Sequence, residues 1–183
     1  MLILVRHGRT ALNAAGRLQG RIDEPLDEVG ERQAKAVAAL VGPVDVLISS
    51  PLRRARQTAE AFGAPYSVDE RWIELAYGNF EGAPAGSVVW DEWRGDIEYT
   101  PEGGESLATL DRRVRAACED LVAPARDADV AVVSHVSPIK AAVAWALGSG
   151  VEMAWRSHLA QASICRVEMR STGPVLTAFN QTA

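Results

Sequence analysis

The chain opens with four consecutive apolar residues, 2–5, that run directly into Arg6, His7 and Gly8. An unbroken apolar run of this length, ending near a glycine, predicts a short strand buried on both faces. In open α/β sheets, the loops at the carboxyl ends of the strands carry the ligand-binding groups. We therefore expect Arg6 and His7 to face a cleft, although a surface arginine and a hydrogen-bonded histidine would explain these three residues taken alone.

The rest of the chain alternates strand patterns with helix patterns. Further strands are predicted at residues 44–48, 65–68, 130–134, 164–169 and 175–179. Helical spacing of apolar residues, with capping residues at the ends, predicts helices over residues 27–42, 52–62, 88–93, 106–121 and 138–147. Asp27, Ser50 and Ser106 are the predicted N-caps, and Pro51 is expected at the first helical position. This alternation predicts a three-layer α/β/α sandwich with a mostly parallel central sheet, in a single domain over residues 1–183.

Composition narrows the classes of partner and the compartment. The net charge of -5 argues against a nucleic-acid-binding protein, and no apolar stretch is long enough to span a membrane. The apolar run after Met1 is short and follows no basic residue, so no secretory signal is expected. Cys118 and Cys165 lie far apart, which favours reduced thiols and a cytoplasmic protein. The oligomeric state is open, and a homodimer is compatible with the sequence.

Three cationic segments follow predicted strands: Arg6 with His7, Arg54 near the start of its helix, and His135. Cations that converge at one sheet edge repel each other unless an anion joins them, and a helix N-terminus favours the same anion. The pattern thus predicts a phosphate site. The alternatives are a solvated basic helix face for Arg54 and its neighbours, a satisfied histidine at position 135, and a surface acid at Glu74.

Five motifs in order resemble the histidine phosphatase (phosphoglycerate mutase-like) superfamily. They are Arg6-His7-Gly8 with Thr10 and Asn13, residues 50–59, Glu74 with Gly78, Glu81 and Gly82, residues 103–106, and residues 133–135. Together these motifs extend over nearly the whole chain.

The resemblance implies a role for each matching residue. His7 would be the nucleophile that becomes a phosphohistidine, and Glu74 would be the proton donor. The phosphoryl oxygens would be bound by Arg6, Arg54 and His135, with help from Asn13. The chemistry needs neither a metal nor another cofactor, because an imidazole is a nucleophile near neutral pH and two guanidiniums and an imidazolium stabilise the charge.

Two residues depart from the usual pattern of that superfamily. Arg9 stands where Glu or Gln is frequent. It is either an additional cation near the mouth of the site or an ordinary surface residue. Val136 replaces the glycine that commonly follows the second histidine, which affects the expected backbone shape.

The predicted activity is hydrolysis of a small phosphorylated metabolite. A phosphoglycerate mutase-type transfer and a non-catalytic phosphate-binding module are the alternatives. The segment between Glu74 and Gly103 is short, which favours access of water, and a pure binding module would not need Glu74. The aromatic residues Trp72, Tyr77, Trp90 and Trp93 either line a pocket for the organic part of the substrate or belong to the core.

Overall fold

The computed structural model describes residues 1–86 and 89–183. Six strands form one sheet: β1 (Leu2–Arg6), β2 (Val46–Ser49), β3 (Ser67–Val68), β4 (Val130–Ser134), β5 (Ile164–Arg170) and β6 (Gly173–Gln181). Their order across the sheet is β3-β2-β4-β1-β5-β6. The pairs from β3 to β1 are parallel, and the β1–β5 and β5–β6 pairs are antiparallel. Of these six strands, β5 alone therefore runs against the others, which confirms a mostly parallel sheet.

The helices lie on both faces of the sheet. They are α1 (Ala11–Ala14), α2 (Glu28–Val41), α3 (Arg53–Glu60), α4 (Val89–Gly95), α5 (Leu107–Val122), α6 (Pro124–Asp127) and α7 (Val136–Ala146). Short 3-10 turns occur at Glu70–Trp72, Gly78–Phe80 and Val151–Arg156.

The residues of β1 alternate between two apolar clusters. Ile3 and Val5 belong to the cluster that contains Val37 of α2 and Ala55 of α3. Leu2 and Leu4 belong to the other cluster, which contains side chains of α5 and α7. The four apolar residues of β1 are fully or almost fully buried, as the apolar run at the start of the chain predicts. The three-layer α/β/α sandwich is confirmed.

Two predicted helix starts are wrong. Helix α3 begins at Arg53 with Leu52 as its N-cap and no side-chain capping bond, so Ser50 is not the N-cap. The Ser50 hydroxyl lies instead 2.6 Å from Nε2 of the buried His135. Helix α7 begins at Val136, two residues before the predicted start at Pro138. Proline is tolerated there because N–H groups of the first turn have no acceptor inside the helix.

The other differences are small. The predicted edge strand is confirmed at the edge of the sheet, but it is reduced to the two residues of β3. The predicted short helix corresponds to α4, although its first residue, Val88, lies outside the described residues. Asp27 and Ser106 are confirmed as N-caps, since each side chain accepts a hydrogen bond from a backbone N–H of its own helix. Across the described ranges, no helix is long and apolar enough to cross a membrane.

Candidate active site

The predicted cationic residues meet at one edge of the sheet. Strands β2, β4 and β1 are neighbours and parallel, so Ser50, His135 and His7 follow them at the same edge. The ring centroids of His7 and His135 are 5.0 Å apart. Arg54 reaches the same place from the first turn of α3. The convergence expected from the sequence is therefore observed.

The loop that carries His7 is fixed from several sides. The His7 N–H donates to Ser134 at 3.0 Å, and its carbonyl accepts from the N–H of Ala162 at 3.1 Å. The next N–H, that of Gly8, donates to the Thr58 hydroxyl of α3 at 3.2 Å. Gly8 also lies directly against Gly30 of α2, where a side chain on either glycine would overlap the backbone of the other segment. The sheet and both helices of that face thus position His7.

The hydrogen bonds of His7 define its protonation state. Its Nδ1 lies 2.6 Å from the Gly8 carbonyl oxygen, which can only accept, so Nδ1 carries the proton. The Nε2 atom therefore holds the lone pair, and it accepts a hydrogen bond from Arg54 Nε at 3.2 Å. Burial, together with the nearby charges of Arg54 and Arg6, holds the pKa of His7 well below its ordinary value of 6.5. A buried imidazole is thus kept neutral with its lone pair on the side of the arginines.

Arg54 is almost completely buried, at 1% exposure. Its two terminal nitrogens donate to the carbonyl oxygens of Ile22 at 2.8 Å and Gly20 at 2.7 Å. Burial lowers the pKa of Arg54 to about 10, so it remains a cation at neutral pH. The segment between α1 and α2 therefore orients this guanidinium.

Arg6 and Asn13 line the same cavity as His7. One terminal nitrogen of Arg6 donates to the carbonyl of Leu159, while its buried Nε has no partner among the described residues. Asn13 belongs to a capping box, because its side-chain oxygen accepts from the Thr10 N–H at 3.3 Å. A buried guanidinium N–H without an acceptor is an incomplete site that an anion can complete.

His135 differs from the expectation in its charge. Burial and the nearby cation Arg54 hold its pKa well below 6.5, so His135 is neutral rather than an imidazolium. The Ser50 hydroxyl forms a hydrogen bond with its Nε2 at 2.6 Å, and when the hydroxyl donates, the proton is on Nδ1. That Nδ1 is buried and has no partner among the described residues. A bound anion could accept from it.

Glu74 lies in the irregular segment that follows β3, and it is 4% exposed. Its carboxylate accepts from the N–H groups of Leu75 at 2.8 Å and Ser137 at 3.3 Å. The backbone of Glu74 is held separately, because its carbonyl accepts from Arg21 at 3.2 Å and from Arg113 at 3.4 Å.

Glu105 connects Arg21 and Arg113. Its carboxylate, 8% exposed, pairs with Arg113 Nε at 2.8 Å and with Arg21 Nη2 at 3.1 Å. A polar network of side chains distant in sequence thus positions Glu74. Sequence reasoning identified Glu105 only as part of a motif and gave no role to Arg21 or Arg113.

A cavity of about 430 Å³ contains His7, Arg6, Arg54, Asn13 and Glu74 in its lining. It also contains residues that sequence reasoning did not single out: Gln19, Lys140 and Trp155. Gln19 is 6% exposed, and its side-chain oxygen accepts from Thr10 while its nitrogen has no partner among the described residues. No local pattern distinguishes these three residues, because they meet the site only through the fold.

The aromatic residues divide between two roles. Trp72 and Trp93 are fully buried core residues, whereas Tyr77 and Trp90 line the cavity. Arg9, one of the two departures, forms an ion pair with Asp27 at 2.8 Å and does not line the cavity. Val136, the other departure, occupies the first position of α7 and lines the cavity without preventing the helix from starting there.

The described residues contain no group of three or more His, Cys, Asp or Glu side chains that could hold a metal ion. The donors that line the cavity are instead guanidinium and amide groups, among them those of Arg6, Arg54 and Asn13, which suit an anion.

Comparison with known proteins identifies relatives of two kinds. The chain is 36% identical to the bifunctional protein Rv2228c of Mycobacterium tuberculosis over 94% of its own length, but it spans only 51% of that relative. It is 35% identical to a probable phosphoglycerate mutase of Yersinia pestis, over 92% of this chain and 85% of that protein.

Among solved structures, a phosphoserine phosphatase of Entamoeba histolytica in complex with 3-phosphoglyceric acid superimposes with a TM-score of 0.89. It is 29% identical, and the match covers 99% of this chain and 96% of that one. The sequence profile of the histidine phosphatase superfamily (branch 1) matches residues 2–182. This chain belongs to the histidine phosphatase superfamily.

Proposed function

We propose that this protein is a phosphomonoester hydrolase that acts on a small phosphorylated metabolite through a phosphohistidine at His7. The observation that carries the proposal is the state of His7: Nδ1 donates to the Gly8 carbonyl, and the lone pair is on Nε2, beside the Arg54 guanidinium. A neutral imidazole oriented in this way is a nucleophile that needs no further deprotonation.

In the first step, the Nε2 lone pair forms a bond to phosphorus while the bond from phosphorus to the ester oxygen breaks. The entering phosphoryl group then accepts the hydrogen bond that Arg54 Nε donates to His7 Nε2 in the structure. Arg6 Nε, a buried donor without a partner among the described residues, and His135 bind its other oxygens, and Asn13 lines the same space. Stabilisation of the phosphoryl charge supplies most of the catalysis in such transfers.

Glu74 completes both steps. Its carboxyl group protonates the leaving alkoxide, and the resulting carboxylate then takes a proton from the attacking water. Water forms the new bond to phosphorus as the bond from phosphorus to Nε2 breaks, which returns His7 to its starting state. Support for this role comes from the position of Glu74 in the same cavity lining as His7 and Arg6.

A mutase is the second candidate, and the Yersinia pestis relative favours it. The two activities share the first step and differ only in whether water or a second hydroxyl accepts the phosphoryl group. Hydrolysis is preferred because the superposition on the Entamoeba histolytica phosphoserine phosphatase extends over almost all of both chains. Phosphoserine and phosphoglycerate esters are therefore the first substrates to assay for both reactions.

Further parts of the proposal concern the setting of the reaction. We propose that residues 1–183 form one catalytic domain that uses neither a metal nor another cofactor and works in the cytoplasm. The net charge of -5 supports a role without nucleic acid, and a homodimer remains compatible with the proposal.

The decisive experiment is to trap the intermediate. Rapid acid-free quenching during turnover of a phosphomonoester, followed by mass spectrometry, should locate one phosphoryl group on His7. His7→Ala should retain its circular dichroism spectrum but lose both the adduct and the turnover. Turnover by a folded His7→Ala variant, or loss of activity in EDTA that a divalent ion restores, would contradict the proposal.

A further inference from the structure

Lys140 is a cation in the cavity that the proposed chemistry does not use. It lies on α7, one turn after Val136, and both side chains line the cavity that contains His7. The chain has two lysines, and the other, Lys35, is exposed on α2. A solvated lysine needs no explanation, but a partly buried lysine beside the proposed phosphoryl site does.

The Lys140 ammonium is incompletely paired. Its Nζ donates to the Ala154 carbonyl at 2.9 Å, and within residues 1–86 and 89–183 it forms no ion pair with a carboxylate. An ammonium group has three N–H donors, so two of them are available to a ligand. Partial burial and the charge of Arg6 lower the pKa of Lys140, whereas the Glu74 carboxylate raises it, so Lys140 lies within electrostatic range of both groups.

A cation in this position is costly without a partner. The phosphoryl group of a substrate already receives donors from Arg6, Arg54 and His135, so a further cation is not required for that group. The free donors of Lys140 therefore suit a second negative charge on the same substrate.

The residues that line the cavity around Lys140 indicate the chemical character of the rest of that substrate. Tyr77, Trp90 and Trp155 line the cavity, and the rings of Trp90 and Trp155 meet edge to face with centroids 5.6 Å apart. The cavity volume of about 430 Å³ falls in the range that accommodates drug-sized ligands, well above what a phosphoryl group occupies. Its aromatic wall favours a substrate with an apolar body.

We propose that Lys140 binds a second anionic group, a carboxylate or a second phosphate, on a phosphomonoester whose body is aromatic or otherwise apolar. This proposal rests on the proposed phosphatase function and names the substrate class of the same site. Lys140 selects among substrates and takes no part in bond breaking.

The test compares substrates that differ only in the second charge. Phenyl phosphate and 3-carboxyphenyl phosphate have leaving groups of similar basicity, so a difference in kcat/KM between them reports recognition of the carboxylate. The 3-phosphono analogue distinguishes a carboxylate from a phosphate-like group. Wild type should prefer one or both of the anionic substrates, chiefly through KM.

Lys140→Met keeps the length of the side chain and removes the charge. It should reduce the preference ratio about tenfold to a hundredfold, the range expected for loss of one charge-assisted hydrogen bond. Lys140→Arg should keep most of the preference, which guards against a trivial folding defect. Lys35→Met is the matched control and should leave the ratio unchanged.

The outcomes separate this inference from the function on which it rests. If phenyl phosphate is not hydrolysed and no phosphohistidine forms on any of the three substrates, the proposed function fails. If all three are hydrolysed with equal kcat/KM, or if Lys140→Met lowers kcat/KM equally for all of them, the Lys140 subsite is wrong while the function stands. Loss of the preference in Arg17→Met but not in Lys140→Met would also overturn it, since Arg17 lines the same cavity.

Discussion

The two halves of the candidate site are built in different ways. The half that contains His7, Arg54 and His135 is attached to the ends of adjacent parallel strands and the helices that follow them. The half that contains Glu74 lies on irregular backbone, and the side chains of Arg21, Arg113 and Glu105 hold it. Regular structure positions the first half and ionic hydrogen bonds position the second. Substitutions should therefore affect the two halves in distinguishable ways.

The largest effect is expected for Arg54→Ala, which removes a buried donor from the strand-end half. It should lower kcat/KM by on the order of a hundredfold, since a preorganised donor contributes about 3 kcal/mol to transition-state stabilisation. Arg54→Lys should recover little, because Arg54 is held by two carbonyl oxygens through its planar fork.

The matched controls for Arg54 are its neighbours Arg53→Ala and Arg56→Ala, both exposed on α3. Steady-state kinetics on one phosphomonoester is sufficient for the comparison. Similar mild losses at all three positions would mean that the arginines form a solvated helix face.

Glu74→Gln should produce an effect that depends on the leaving group. A nitrophenolate leaves without a proton, whereas an alkoxide does not, so the variant should slow cleavage of alkyl phosphates severely. Phosphohistidine formation from p-nitrophenyl phosphate, measured in the first burst, should change much less. Glu70→Gln and Glu81→Gln serve as comparisons, and an equal burst defect with both leaving groups would remove Glu74 as the general acid.

Glu105→Gln tests the polar network that holds Glu74. It should reproduce the leaving-group pattern of Glu74→Gln in weaker form, about tenfold to a hundredfold on alkyl phosphates, because a displaced catalytic group loses rate steeply with distance. Exposed Glu102→Gln is the control. A loss of thermal stability in Glu105→Gln without any leaving-group dependence would show that the network supports the fold and does not position Glu74.

The last expected effect concerns stability rather than rate, and it belongs to the strand-end half. His7 and His135 have pKa values held well below 6.5 in the folded protein. Below pH 6.5 the histidines therefore bind protons in the unfolded chain but not in the folded chain. The free energy of unfolding should thus fall as the pH decreases from 6.5. Each histidine contributes up to about 1.4 kcal/mol per pH unit.

Urea unfolding between pH 6.5 and pH 5 measures this slope, with the upper limit set by the ordinary histidine pKa of 6.5. His7→Asn and His135→Asn should each make the slope shallower. Unchanged slopes in both variants would mean that the two imidazoles are not held neutral by the fold.

The difference between the two halves of the site also explains which of its features could be predicted from the sequence. Residues 2–5 form a buried strand because their side chains are apolar on both faces, and that pattern is local. Once three such strands lie side by side, the positions of His7 and His135 follow from the topology. The strand-end half was therefore predictable in outline, but the charge of its histidines was not.

The features of the site that the sequence did not predict depend on contacts between distant parts of the chain. Arg21 and Glu105 are 84 positions apart, and no periodicity connects them. The sequence places Ser50 where an N-cap is expected, but in the fold its hydroxyl forms a hydrogen bond with the buried His135. The charge of His135 was also beyond prediction, because burial and a neighbouring guanidinium decide it.

The contact between Gly8 and Gly30 has a consequence for protein engineering. Gly30 lies inside α2, and replacing a glycine within a helix by alanine usually increases stability by about 1 kcal/mol. Here the added methyl group would overlap the Arg9 carbonyl, two residues after the proposed nucleophile. Gly30→Ala, a substitution of a kind that usually stabilises a helix, would therefore lower activity here, because it would displace the loop that carries the His7 imidazole.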